Sequence, residues 1–128
     1  MKRFLKILLG AAVSLALLIG IVCVIVMIRM SRQVDRFDKT PVDISMVADG
    51  VYEGHSETDL VKAHVRVTIS DGKISDIEII RHECGKGRPA ENMIPQMIDQ
   101  NNIEVDAVTG ATFSSAVIKD AVRNALRE

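Results

Sequence analysis

Tryptophan is absent from the 128-residue chain, and one Tyr and three Phe make up its whole aromatic content of 3%. Positive charge is also scarce where a soluble domain could lie. Residues 40–128 hold nine Lys/Arg against fifteen Asp/Glu, a net of −6, whereas the whole chain is at −1. Contact with nucleic acid needs clustered positive charge, so an acidic domain poor in aromatics excludes a nucleic-acid binder. Cysteine is limited to Cys23 and Cys84. Cys23 lies inside an apolar run and Cys84 far outside it, which excludes a disulfide between them. No CxxC or Cys/His ligand spacing is present, which argues against a structural zinc or iron–sulfur site. Cys84 is expected to be an unpaired thiol with no catalytic role, and no metal ligand or catalytic residue is assigned.

What the chain has in excess is one long apolar run. Ile7 to Ile28 are twenty-two residues without a charge. At about 1.5 Å per residue they would make roughly 33 Å of helix, enough to cross the hydrocarbon core of a bilayer. A cleavable signal peptide would have a shorter apolar region ending in small residues. Here Val-Ile-Val-Met-Ile-Arg follows Cys23, and Val22 stands where lipoprotein cleavage wants a small residue. An uncleaved single-pass anchor is therefore expected. Lys2, Arg3 and Lys6 flank one end of the run and Arg29, Arg32, Arg36 and Lys39 the other, so the distribution of positive charge does not set the topology. The expected organisation is a basic flank over 1–6, an anchor over 7–29, a linker over 30–46 and one domain over 47–128.

The outer domain begins with a turn and short strand at Asp49-Gly50-Val51-Tyr52-Glu53-Gly54. Ala63, Val65, Val67 and Ile69 then alternate with polar residues, the period of a half-buried strand. Asp71-Gly72 separates this run from an Ile-rich stretch, Ile74 to Ile80, which predicts a hairpin. Met93, Ile94, Met97 and Ile98 recur at helical spacing, with Pro95 confined to a first turn; the methionines are expected as core filler. Phe113, Val117, Ile118, Ala121, Val122, Ala125 and Leu126 fall on one face of a final helix, with Lys119, Asp120, Arg123 and Asn124 opposite. Strands followed by helices predict an α+β domain, a small antiparallel sheet packed with helices, preceded by one N-terminal transmembrane helix.

The segment that could carry chemistry precedes that last helix: Val105-Asp106-Ala107-Val108-Thr109-Gly110-Ala111-Thr112-Phe113-Ser114-Ser115. Thr109 or Thr112 could simply cap the helix while Gly110 turns the chain. Alternatively, the unpartnered N–H groups of a helix start favour a phosphate, with small residues at Gly110 and Ala111 letting it approach. A hydroxyl there could bond the phosphate or be esterified to it. Spacing alone leaves these readings open.

Asp-x-x-Thr-Gly-Ala-Thr, followed by Ser-Ser and an Ala/Val/Ile-rich helix, resembles the signature of the FMN-binding domain family. The resemblance extends through Asp49–Gly54, the strand–Asp71-Gly72-Lys73–strand unit and His82-Glu83, about residues 47–127. That family includes covalently flavinylated subunits of sodium-pumping NADH:quinone reductases and related electron-transport complexes. The loop His-Glu-Cys-Gly-Lys-Gly-Arg departs from many members, which have Thr or another small residue at the place of Cys84, and the domain lacks the extra segments of the quinone-reductase subunits. The resemblance implies FMN joined by a phosphoester to Thr112, installed by a flavin transferase that uses FAD and magnesium. Thr109, Gly110 and Ala111 would complete the recognition element, with Asp106 as its acidic residue. Ser114 and Ser115 would lie beside the phosphate.

His82, with Glu83 and Gly85, would approach the isoalloxazine, or His82 would be a strand-end histidine satisfied by backbone. Lys86 and Arg88 are expected in a solvated loop, with contact to a phosphate as the alternative, and His55 and His64 at the surface. The function so implied is an extracytoplasmic electron carrier with its N-terminus in the cytoplasm, working with membrane redox partners. It would be an electron-transfer flavoprotein more than a substrate-transforming enzyme. A flavin-free envelope binding module and a flavin reductase with non-covalent FMN are the alternatives.

Overall fold

The period-two stretch and the Asp71-Gly72 signal become the middle of a three-stranded antiparallel sheet in the computed structural model, which describes residues 1–83 and 88–127. Strands β1 (Gly50–Glu57), β2 (Lys62–Ser70) and β3 (Lys73–Glu83) pair in chain order. Asp71 and Gly72 both have positive φ, 53° and 70°, the type I′ geometry whose twist matches the strands it joins. Helices α1 (Lys2–Asp35), α2 (Met93–Gln100) and α3 (Thr112–Arg127) complete the chain, with single 3-10 turns at Ile44–Met46 and Arg88–Asn92. The expected α+β class is what forms.

One face of the sheet is apolar and α3 lies across it. Val65, Val67 and Ile69 of β2 meet Val117, Ile118, Ala121, Val122 and Ala125 of α3 in the buried core. Met93 and Met97 of α2 are fully buried there, and Pro95 occupies the first turn of that helix. α3 sits close to β1. A Cβ added to Gly54 would lie 2.1 Å from the Ala121 carbonyl oxygen and 2.5 Å from the Ala125 nitrogen.

Asp120 and Arg123 are buried, not on a solvent face as the helical pattern predicts. Both faces of α3 are covered. Ser56 Oγ donates to Asp120 at 2.6 Å and Asn124 to the His55 carbonyl at 2.8 Å. Arg123 Nε donates to Glu104 at 3.0 Å, and Arg127 reaches the carbonyls of Asp38 and Thr40. A helical wheel cannot anticipate a second layer supplied by distant segments.

Two β-bulges interrupt the β2–β3 register, between Thr68 and Ile69 and between His64 and Val65. They reset the alternation of β3, so Ile74 and Ile77 face the core together and His82, not Arg81, points inward at the strand end. Bulges re-aim side chains in this way.

The outer face of the sheet is polar. His55 and His64 stack with ring centroids 3.8 Å apart, and Arg66 bridges Glu53 and Glu78 at 3.0 Å each. The hydrogen bond from Arg66, then that from His64, holds the Glu53 carboxyl below its usual range. A depressed carboxyl contributes stability above its unfolded value and loses it as pH falls through the folded one. Glu53→Gln should therefore flatten the acid limb. Thermal melts in detergent at neutral pH and below pH 4.5 should differ less in the variant than in the parent; an equal difference would contradict this role.

α1 runs seven residues past the apolar stretch, to Asp35, so the first part of the segment expected as a linker is helical. Its end belongs to the domain. Met30 is buried in the core, and Val26 and Phe37 pack against it. Arg29 pairs with Asp59 at 3.2 Å, and the Asp59 N–H donates to Gln33 at 2.9 Å. Outside this contact α1 is exposed along its length, and it is long and apolar enough to cross a membrane.

Candidate functional site

Val105 and Ile103 anchor the segment before α3 in the core, while Asp106 and Ala107 are exposed. The chain then turns: the Ala111 N–H donates to the Val108 carbonyl at 3.0 Å. Gly110 occupies the third place of that turn with φ 81°, where a positive φ selects glycine. Its role is conformational rather than one of room, because a Cβ there would meet nothing within 4 Å. Ala111 is buried and fixes the turn against the core, so Thr109, Gly110 and Thr112 stand exposed around it.

Neither threonine caps the helix. Among the described residues, no side-chain oxygen accepts from the first turn of α3, and the N–H groups of Thr112, Phe113 and Ser114 have no acceptor. The Ser115 N–H is taken by the Ala111 carbonyl at 2.9 Å. Ser114 and Ser115 are buried, and Ser115 Oγ accepts the Val108 N–H at 3.0 Å, which holds the turn against the helix. The result is an exposed hydroxyl, Thr112, at a helix start whose first N–H groups have no partner among the described residues. Such a start favours an anion through both its donors and its dipole.

α3 runs antiparallel to β1. Asp120 meets Ser56, while Ala121 and Ala125 meet Gly54. The N-terminus of α3 thus lies at the end of the sheet where β1 and β3 finish, the end that holds His82. The His82 side chain is 1% exposed, and its Nδ1 lies 2.9 Å from Glu91. A carboxylate at Nδ1 fixes the proton there, leaving Nε2 to face the other way. That Nε2 is buried with no partner among the described residues. A native buried polar atom without a partner calls for one, and a bound group supplying it is consistent with this end of the fold. The 3-10 turn that presents Glu91 also packs against α3.

Glu83 points to the opposite side of the strand from His82 and pairs with Arg81. It is not brought to this cluster. Gly85, like Cys84 and Lys86, lies outside the described residues. Glu91 is the residue that pattern reading overlooks. It sits nine positions past His82 in the sequence, and no periodicity links the two.

Residues 61–127 match the sequence profile of the FMN-binding domain family. The chain belongs to that family. A 65-residue stretch is also 40% identical to the NADH:acrylate oxidoreductase of Vibrio harveyi, covering 48% of this chain and 6% of that protein. The FMN-binding domain here thus spans a small part of that relative's length. Residues 61–127, the stretch that matches the family, contain β2, β3, α2, the Thr109–Thr112 turn and α3, and so include both His82 and Thr112.

The site residues fit the phosphate and ring of FMN. The N–H groups beside Thr112 and the Nε2 of His82, without partners among the described residues, suit a phosphate and a ring heteroatom respectively. Bound flavin would supply one- and two-electron redox chemistry. The protein's own residues would anchor it, orient it and set the polarity at its edge.

Proposed function

We propose that this FMN-binding domain is a membrane-anchored, extracytoplasmic electron carrier whose FMN is joined to Thr112 by a phosphoester. The observation that carries the reading is the exposed Thr112 hydroxyl at a helix start whose first N–H groups have no acceptor among the described residues. Esterification uses Thr112 as nucleophile once, during maturation by an FAD- and magnesium-dependent flavin transferase. Thereafter no acid, base or nucleophile of the protein is needed. Electrons would pass between the flavin and redox partners of the same membrane, with the N-terminus of α1 in the cytoplasm.

Intact mass tests this reading. The full chain, co-expressed with a flavin transferase and extracted in detergent, should gain the mass of one FMN less water. Its yellow colour should stay with the denatured polypeptide. A colourless protein of unmodified mass would overturn the proposal. Flavin released by denaturant would instead support a reductase with non-covalent FMN.

Within the same reading, His82 presents Nε2 to the isoalloxazine and Glu91 holds the ring in that tautomer. Glu91→Gln and His82→Ala should each displace the flavin midpoint potential and the near-ultraviolet flavin band while leaving the covalent mass unchanged. If both variants keep the parent spectrum and potential, His82 does not touch the ring.

A further inference from the structure

The contacts between α1 and the domain fix which end of the sheet faces the membrane. Val26 packs against the domain core although it lies within the apolar run, two residues before Ile28. At about 1.5 Å per residue, the domain therefore reaches roughly to the edge of the hydrocarbon layer. The part of the domain nearest that level is the β1–β2 connection. Asp59 is clamped by Arg29 at 3.2 Å and by Gln33 at 2.9 Å. Next to it Leu60 is 60% exposed, a large apolar side chain at a turn tip. Thr58 and Val61 brace the turn internally, the Thr58 N–H donating to the Val61 carbonyl at 2.7 Å.

We propose that the domain rests the Thr58–Val61 turn, led by Leu60, on the surface of the bilayer that α1 crosses. This rests on reading α1 as a membrane anchor. The occupant of the surface is the lipid interface itself, argued from the continuity of the packed helix with its apolar run. α3 starts at this same end of the sheet, so the Thr112 turn faces the membrane as well. A group held on Thr112 would then exchange electrons at the headgroup layer, not far out in solution. The opposite end, at the Asp71-Gly72 hairpin, lies farther out by the length of β2. Its nine residues are joined by eight steps of about 3.3 Å, which puts its two ends roughly 26 Å apart.

The full chain with Cys23 and Cys84 replaced by Ser, carrying a single fluorophore at Leu60→Cys or at Lys73→Cys, tests this in phosphatidylcholine vesicles. Nitroxide-labelled lipid should quench the label at position 60 several-fold more than the label at position 73. Protein that floats with the vesicles but shows equal quenching at both positions overturns the docking alone. Protein that does not float with them overturns the anchor and the docking together. Neither measurement requires bound flavin, so both are separate from the fate of the flavin reading.

Discussion

Thr112→Ala will leave a folded, colourless protein when it is co-expressed with a flavin transferase, with no covalent flavin detectable. Folding should survive because the hydroxyl does nothing structural. Thr112 is exposed, its side chain has no hydrogen-bond partner among the described residues, and the position that would cap the helix is occupied by Ala111. Surface substitutions of this kind stay within about 0.5 kcal/mol. The loss of flavin should be complete and not redirected to a neighbour. Ser114 and Ser115 are buried, and Ser115 Oγ is engaged with the Val108 N–H. Thermal melts and in-gel flavin fluorescence of the two proteins check both halves. Fluorescence persisting in the variant at the parent level would contradict the assignment of Thr112.

Gly54→Ala will be the most destabilising small substitution in the domain. The added methyl group would meet the Ala121 carbonyl oxygen at 2.1 Å and the Ala125 nitrogen at 2.5 Å, and both are backbone atoms of a helix that cannot yield locally. Relief requires α3 to move off β1. That motion would pull apart Ser56 and Asp120, and Asn124 and the His55 carbonyl. Overpacking of this kind costs about 3 kcal/mol. For a domain of this size that corresponds to a fall in Tm of roughly 10–20 °C. Because α3 begins at Thr112, the variant should also be flavinylated poorly, even though Gly54 lies far from the acceptor in sequence. A detergent-solubilised variant melting within about 2 °C of the parent would show that α3 does not pack on β1 as closely as described.

These two expectations draw on different layers of information. The Thr109–Thr112 motif, the hairpin at Asp71-Gly72 and the apolar stripe of α3 are local patterns, and local patterns are legible in a chain. So is the long apolar run that becomes α1. The requirement for glycine at position 54 is not local, since it arises only when a helix seventy residues away is laid across the strand. The inward turn of His82 depends on a one-residue bulge at Ile80, which no alternation rule places. Its partner Glu91 comes from a separate 3-10 turn, nine positions further along the chain. Asp120 and Arg123 are buried because Ser56 and Glu104 close over them, although their helical phase alone assigns them to solvent. The two threonines show the reverse case. Their pattern favours a helix cap over a phosphate site, and the geometry leaves both hydroxyls unused by the helix among the described residues.

The central claim is that one hydroxyl of this turn carries the flavin. Tandem mass spectrometry of the proteolytic peptide spanning Asp106–Ser115, from full-length protein co-expressed with a flavin transferase, tests it most directly. The account predicts a single FMN phosphoester whose fragment ions place it on Thr112. FMN located on Thr109, Ser114 or Ser115, or an unmodified peptide throughout, would contradict it.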